Sequence, residues 1–75
     1  MTMVDAAREV LKEFGRSASV REIHAEIVKR ELFRFGAKDP VSVLGSALRR
    51  RTKGSAKLSG PPVFENPEKG KYELC

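Results

Sequence analysis

Three helix-start signatures fall within the first 40 residues of a 75-residue chain, leaving room for three short helices and a small tail of another kind. Thr2 stands three residues before Asp5, Ser19 stands three before Glu22, and Asp39 directly precedes Pro40. In the first two, the hydroxyl accepts from the amide three residues on, while the acidic side chain reaches back to the cap amide. In the third, the aspartate oxygen caps free amides, and proline's fixed φ suits the first helical turn. A chain of this length builds one core and buries roughly 60% of the surface its unfolded form exposes.

Apolar spacing sets the extent of each helix. Ala7, Val10, Leu11 and Phe14 form a stripe over a first helix expected from Met3 to Phe14 and ended by Gly15, with Arg8, Glu9, Lys12 and Glu13 on the solvated side. Val20, Ile23, Ile27 and Val28 supply the inward face of a second helix expected over 20–31, and Leu32, Phe33 and Phe35 close the core as far as the break at Gly36. The third helix is expected from Pro40 to about Thr52, with Gly54 beyond its end. At 100° per residue Val41, Leu44, Ala47 and Leu48 face inward, Ser42, Ser46, Arg49 and Lys53 line up opposite, and Arg50 lies beside that line. Arg51 falls on the flank of the apolar arc, where it snorkels or frays. Gly45 costs about 1 kcal/mol against alanine inside a helix. Close helix approach and plain tolerance both account for it.

"KGSAKLSGPP" is a connector, and "VFENPEKGKYEL" reads as two short strands around a turn in which Gly70 supplies positive φ. Phe64, Tyr72 and Leu74 can face the core. A lone hairpin is marginal in water, so it must pack on the helices or gain a third strand, for which the extended "SAS" before the second helix is the candidate. The predicted class is α+β, mainly α: a winged helix-turn-helix with three helices and a C-terminal β-hairpin wing, filling residues 1–75 as a single domain. A chain that stops one residue after a strand-like "KYEL" is what a domain cut from a longer protein would show, and we treat it as such an excerpt.

Charge directs the functional reading. The net charge is +5, but residues 1–37 carry seven basic and six acidic groups, while residues 38–75 carry eight basic and four acidic ones. No acidic residue occurs from Pro40 to Phe64. Nucleic-acid binding uses cations to hold phosphates and short polar side chains to approach base edges. Arg49, Arg50 and Lys53 are the expected phosphate contacts, with Ser42 and Ser46 nearer the base edges. Lys38, Lys57, Lys69 and Lys71 complete the expected DNA-binding set, the last two flanking Gly70. Glu65 and Glu68 nearly neutralise the hairpin, so the wing's share should be small. Edge protection explains its lysines as well. A solvated polar face is the competing account of the whole helix.

Other chemistries have too few residues. His24 is the single histidine and Cys75 the single cysteine, which leaves a protein-only metal site short of nitrogen and sulfur ligands, and no cofactor is expected. His24 suits the core edge or the surface of the second helix. Ser19 with His24 does not make a hydrolase, because Ser19 is better explained as a cap and no G-x-S-x-G or phosphate-cradling glycine loop occurs. No apolar run approaches the ~18 residues of a membrane span. With one cysteine and no signal-like N-terminus, a reducing compartment is expected: cytoplasmic in a bacterium, nuclear in a eukaryote.

"AAREVL", "VREI", "REL", the "GAKDP" that leads into the third helix, "VSVLGSAL" and the closing "GKYEL" stand in an order and spacing that resembles the HARE-HTH family. These are winged-helix domains found attached to chromatin regulators, restriction enzymes and an RNA polymerase subunit. The likeness spans nearly the whole chain. It implies a DNA-binding module that brings an effector to DNA or reads particular DNA states, with no catalysis by the domain itself. "RRR" at the end of the third helix departs from members with few charges there, and "KLSGPP" is unusually proline-rich. The expected partner is double-stranded DNA, alongside a protein partner or attached effector domain. The alternative is a protein-interaction or dimerisation module, which predicts an exposed apolar patch containing Phe33, Phe35 or Val63.

Overall fold

A computed structural model of the protein describes residues 2–56, 58 and 60–74. The chain runs through α1 (Met3–Phe14), β1 (Ala18–Ser19), α2 (Val20–Lys29), α3 (Pro40–Arg49), β2 (Phe64–Glu65) and β3 (Lys71–Leu74). All three caps form. Asp5 N donates to Thr2 Oγ1 at 3.1 Å and Thr2 N returns to Asp5 Oδ2 at 3.3 Å. Ser19 and Glu22 make the same exchange at 3.2 Å each way, and Ser42 N donates to Asp39 Oδ1 at 3.3 Å.

The strands form one antiparallel sheet in the order β1-β3-β2, so the short piece before α2 does provide the third strand. Ala18 pairs with Tyr72 and Ser19 with Lys71, while Phe64 pairs with Leu74 and Glu65 with Glu73. Side chains alternate across a strand, so Phe64, Tyr72 and Leu74 share the face that meets the helices. Phe64 and Tyr72 are buried with Ala6, Val10, Ile23, Ile27, Leu44 and Leu48, one element contributing to each side of the core.

Both later helices end earlier than their apolar pattern predicts. At α2 the chain turns left-handed at Glu31, φ 53°. Glu31 N donates to Val28 O at 3.1 Å and Leu32 N to Ile27 O at 3.0 Å, the paired closure that satisfies the last carbonyls of a helix. At α3 the carbonyl of Arg51 is taken by the amides of Val63, 2.7 Å, and Phe64, 3.0 Å, and Lys53 N donates to Phe64 O at 2.8 Å. Thr52, buried, donates its hydroxyl to Leu48 O at 2.6 Å. The chain leaves the helix there because its backbone groups pair with the start of the hairpin, a contact between distant segments.

Three expected core positions also need correction. Val28 is 51% exposed, since it lies about 100° around the helix from Ile27 and on the line of His24. Val41 and Ala47 are half-buried. Phe33, Phe35 and Val63 are partly buried and pack against the core, the two rings edge-on at 5.0 Å. Among the described residues, the exposed large apolar ones are Val28, Val43 and Leu58. At Gly45 an added Cβ meets only the methyls of Val20, at 3.9 Å, an ordinary contact, so tolerance and not close approach accounts for that glycine.

Candidate nucleic-acid interface

The outward side of α3 is open. Ser42, Ser46, Arg49, Arg50 and Lys53 are all exposed, as is Lys38 just before the helix. Asp39, the single carboxylate near the start of α3, is occupied as its cap. Between the C-terminal end of α3 and the tip of the hairpin lies a groove of about 550 Å³ lined by Arg49, Thr52, Lys53, Gly54, Ser55, Asn66, Lys69, Gly70 and Tyr72. No carboxylate is among its described lining residues. The fold thus brings Arg49, Lys53 and Lys69 to one concavity, although 16 or more residues separate Lys69 from the helix pair in sequence.

The hairpin tip that closes the groove is shaped locally. Gly70, at φ 80°, makes the turn, and Asn66 Nδ2 donates to Lys71 O at 2.8 Å across it. Arg51 does not line the groove but holds the connector. Its Nε donates to Pro61 O at 3.1 Å and its guanidinium lies against Gly60, so the proline-rich connector is strapped to the end of α3.

The expected cations differ in what they touch. Arg49 and Arg50 make no ion pair among the described residues. Lys53 Nζ lies 3.7 Å from Glu65 Oε1, both side chains well exposed. Lys71 is turned to the opposite side, its Nζ donating to Glu22 Oε1 at 3.3 Å. The Ser19–Lys71 strand pairing puts that ammonium beside the carboxylate that caps α2. Glu22 also accepts from Arg16 at 3.3 Å. Its carboxyl is lowered to about 2, chiefly by the hydrogen bond from the Ser19 amide and then by those from Lys71 and Arg16. Lys57 and Cys75 lie outside the described residues.

Sequence reasoning did not single out Asn66, Ser55 or Val43. Asn66 and Ser55 read as turn and connector residues, with no signal that the fold sets them into the groove. Val43 did leave a signal. It is an apolar residue 100° off the inward line of α3, and it is 38% exposed. His24 sits half-buried at the core edge, its ring 4.9 Å from that of Phe35. Among the described residues, no group of three or more His, Cys, Asp or Glu side chains is placed to hold a metal ion, and no helix is long and apolar enough to cross a membrane.

Two helices in sequence, the second of them exposed along its outer face, with a three-stranded sheet ending in a hairpin beside it, define a winged helix-turn-helix domain. The HARE-HTH family model, which describes a helix-turn-helix domain of ASXL and restriction endonuclease proteins among others, matches residues 1–74. The chain belongs to this family of DNA-binding helix-turn-helix domains. No curated protein and no solved structure matches it.

Proposed function

We propose that this domain holds double-stranded DNA with α3 in the major groove and the hairpin tip against the neighbouring backbone. Ser42 and Ser46 face base edges, where short side chains permit close approach. Arg49, Arg50 and Lys53 contact phosphates, Lys69 contacts the backbone from the wing, and Lys38 contacts it ahead of the helix. Lys71 acts in position, holding the wing to α2 through Glu22. Lys57 joins the proposed contacts on its sequence position alone, within the stretch from Pro40 to Phe64 that holds no acidic residue. The domain carries out no catalysis and delivers an attached effector or regulatory partner to DNA. It works in the nucleus of a eukaryote or the cytoplasm of a bacterium.

The observation that carries this reading is the groove between α3 and the wing tip, where Arg49, Lys53 and Lys69 converge with no carboxylate among its described lining residues. A second groove, of about 480 Å³, lies on α2 and the following loop, lined by His24, Val28, Phe33, Phe35 and Pro40 among others, and supports a protein-docking role as the second reading. A titration of duplex DNA at several salt concentrations tests the first. Five phosphate contacts give a slope of log K against log salt near about −4.5. Affinity that is indifferent to salt, or no binding in dilute buffer, defeats it.

A further inference from the structure

Val43 is an anomaly on a face otherwise made of serine and arginine. It stands three residues before Ser46 and seven before Arg50, so the three share one line along α3, beside the line of Ser42, Ser46 and Arg49. The same helix has apolar positions that the core does take: Leu44 and Leu48 are fully buried. Val43 is 38% exposed and is absent from the hydrophobic groups that pack on the core. It stays more open than the other apolar residues of the helix, and as a β-branched residue it is a poorer helix former than alanine. Burial therefore accounts for this valine less well than for Leu44 and Leu48.

Its position in the helix supplies a reason. Counting from Pro40 as the first helical residue, Val43 is the fourth, within the N-terminal part of a recognition helix, the part that meets base edges when such a helix lies in the major groove. Of the four ordinary bases, thymine alone presents an apolar group in that groove, its C5-methyl. On its own line and the one beside it Val43 is followed by Ser46, Arg49 and Arg50, which suit a wet, anionic surface, while Asp39 and Pro40 stand one turn before it. We propose that Val43 is a base-reading residue whose methyls pack on the C5-methyl of a thymine. This rests on the placement of α3 in the major groove set out above. The domain then prefers sites with a thymine under the first turns of α3, and Ser42 and Ser46 complete the contact at the same and adjacent base pairs.

Replacing thymine by uracil removes that methyl and leaves base pairing unchanged, so the test is a two-way cycle. The full chain and Val43→Ala are each titrated against a duplex enriched from a random pool by the wild-type chain, and against versions with each thymine in turn replaced by uracil. Loss of one buried methyl contact corresponds to about fourfold in affinity. We expect the wild-type chain to lose about three- to fivefold at one thymine or at two symmetry-related ones, and Val43→Ala to bind the thymine and uracil duplexes equally, at the lower level. Val43→Thr, which keeps one methyl, should fall between. Equal binding of thymine and uracil duplexes by the wild-type chain overturns the assignment while leaving backbone binding intact. A uracil penalty that persists undiminished in Val43→Ala overturns it too, by placing the methyl against another residue. Absence of salt-dependent binding to every duplex removes the DNA reading itself. Substitution at an exposed position spares the fold, and an unchanged thermal midpoint checks this.

Discussion

Helices α2 and α3 end alike. Each runs ten residues, finishes on a basic side chain and is capped by an arginine: Lys29 then Arg30 in one, Arg49 then Arg50 in the other. Cations at a helix C-terminus gain typically 0.3–1 kcal/mol from the aligned peptide dipoles, and both pairs receive that benefit. Their surroundings differ. Arg30 Nε lies 2.8 Å from Glu26 Oε2 and its Nη1 lies 3.9 Å from Glu13, while Lys29 Nζ is 4.0 Å from Glu26 Oε1. Arg49 and Arg50 sit in a stretch of 25 residues, 40 to 64, that holds no acidic side chain. Charge and helix position are therefore the same, and the availability of a fixed carboxylate separates a structural cation from one free to meet a polyanion.

The comparison is broken most directly by neutralising each pair in turn. Arg49→Gln with Arg50→Gln should weaken duplex binding on the order of 100-fold near 0.1 M salt and flatten the salt slope by about 1.8, as expected for two lost phosphate contacts. Lys29→Gln with Arg30→Gln removes the same charge from the same helical positions. It should change binding by less than about threefold and cost at most about 1 kcal/mol of stability, the scale of exposed ion pairs. Equal losses from the two double variants would mean that net charge alone drives binding, and the distinction between the helix ends would fall.

The ends of these helices also show where sequence stops being legible. Thr2, Ser19 and Asp39 announced their caps because a helix start is written in four consecutive residues. Gly15 and Gly70 announced left-handed turns because glycine adopts them without strain. Glu31 announced nothing. A left-handed residue at this position is usually glycine, and glutamate takes it at a cost of roughly 1 kcal/mol, visible only once the backbone is known. The close of α3 was hidden for another reason, since the groups that end it belong to Val63 and Phe64. The cationic face was legible as a periodicity, but its convergence with Lys69, and the withdrawal of Lys71 toward Glu22, depend on a strand register that no local pattern encodes. Glu31→Gly should accordingly raise stability by about 1 kcal/mol and the thermal midpoint by roughly 4–8 °C, without altering DNA affinity. A midpoint that stays put or drops would show that the glutamate side chain compensates its own strain.

The paired side of the molecule carries a pH signature. Glu22 is held at about 2 against an ordinary value of 4.5, and Asp5 is lowered by its bonds to Thr2. A carboxyl with a depressed folded value contributes its full stability above the unfolded value and loses it as pH falls toward the folded one. Stability should thus be flat above about pH 4.5 and decline between there and pH 2. Urea midpoints measured across that range should slope less in Glu22→Gln than in the wild-type chain. An identical slope would assign the acid sensitivity to other carboxylates.

Lys53 stands between the two regions, since it belongs to the cationic face and yet has a carboxylate within 3.7 Å. Glu65 competes with phosphate for that ammonium, and an exposed pair of this kind is worth between zero and about 1 kcal/mol. Binding DNA must give up that amount before Lys53 contributes. Glu65 also faces Glu73 directly across the hairpin, an arrangement of like charges that destabilises a strand pair. Glu65→Gln should therefore tighten duplex binding by about two- to threefold, make the salt slope slightly steeper and leave the fold as stable or a little more so. Lys53→Gln provides the reference: if the two substitutions made in one chain bind no better than Lys53→Gln alone, the gain acts through Lys53. If Glu65→Gln improves binding just as much in the absence of Lys53, the carboxylate opposes DNA through the general field of the wing, and Lys53 joins Lys71 among the structural cations.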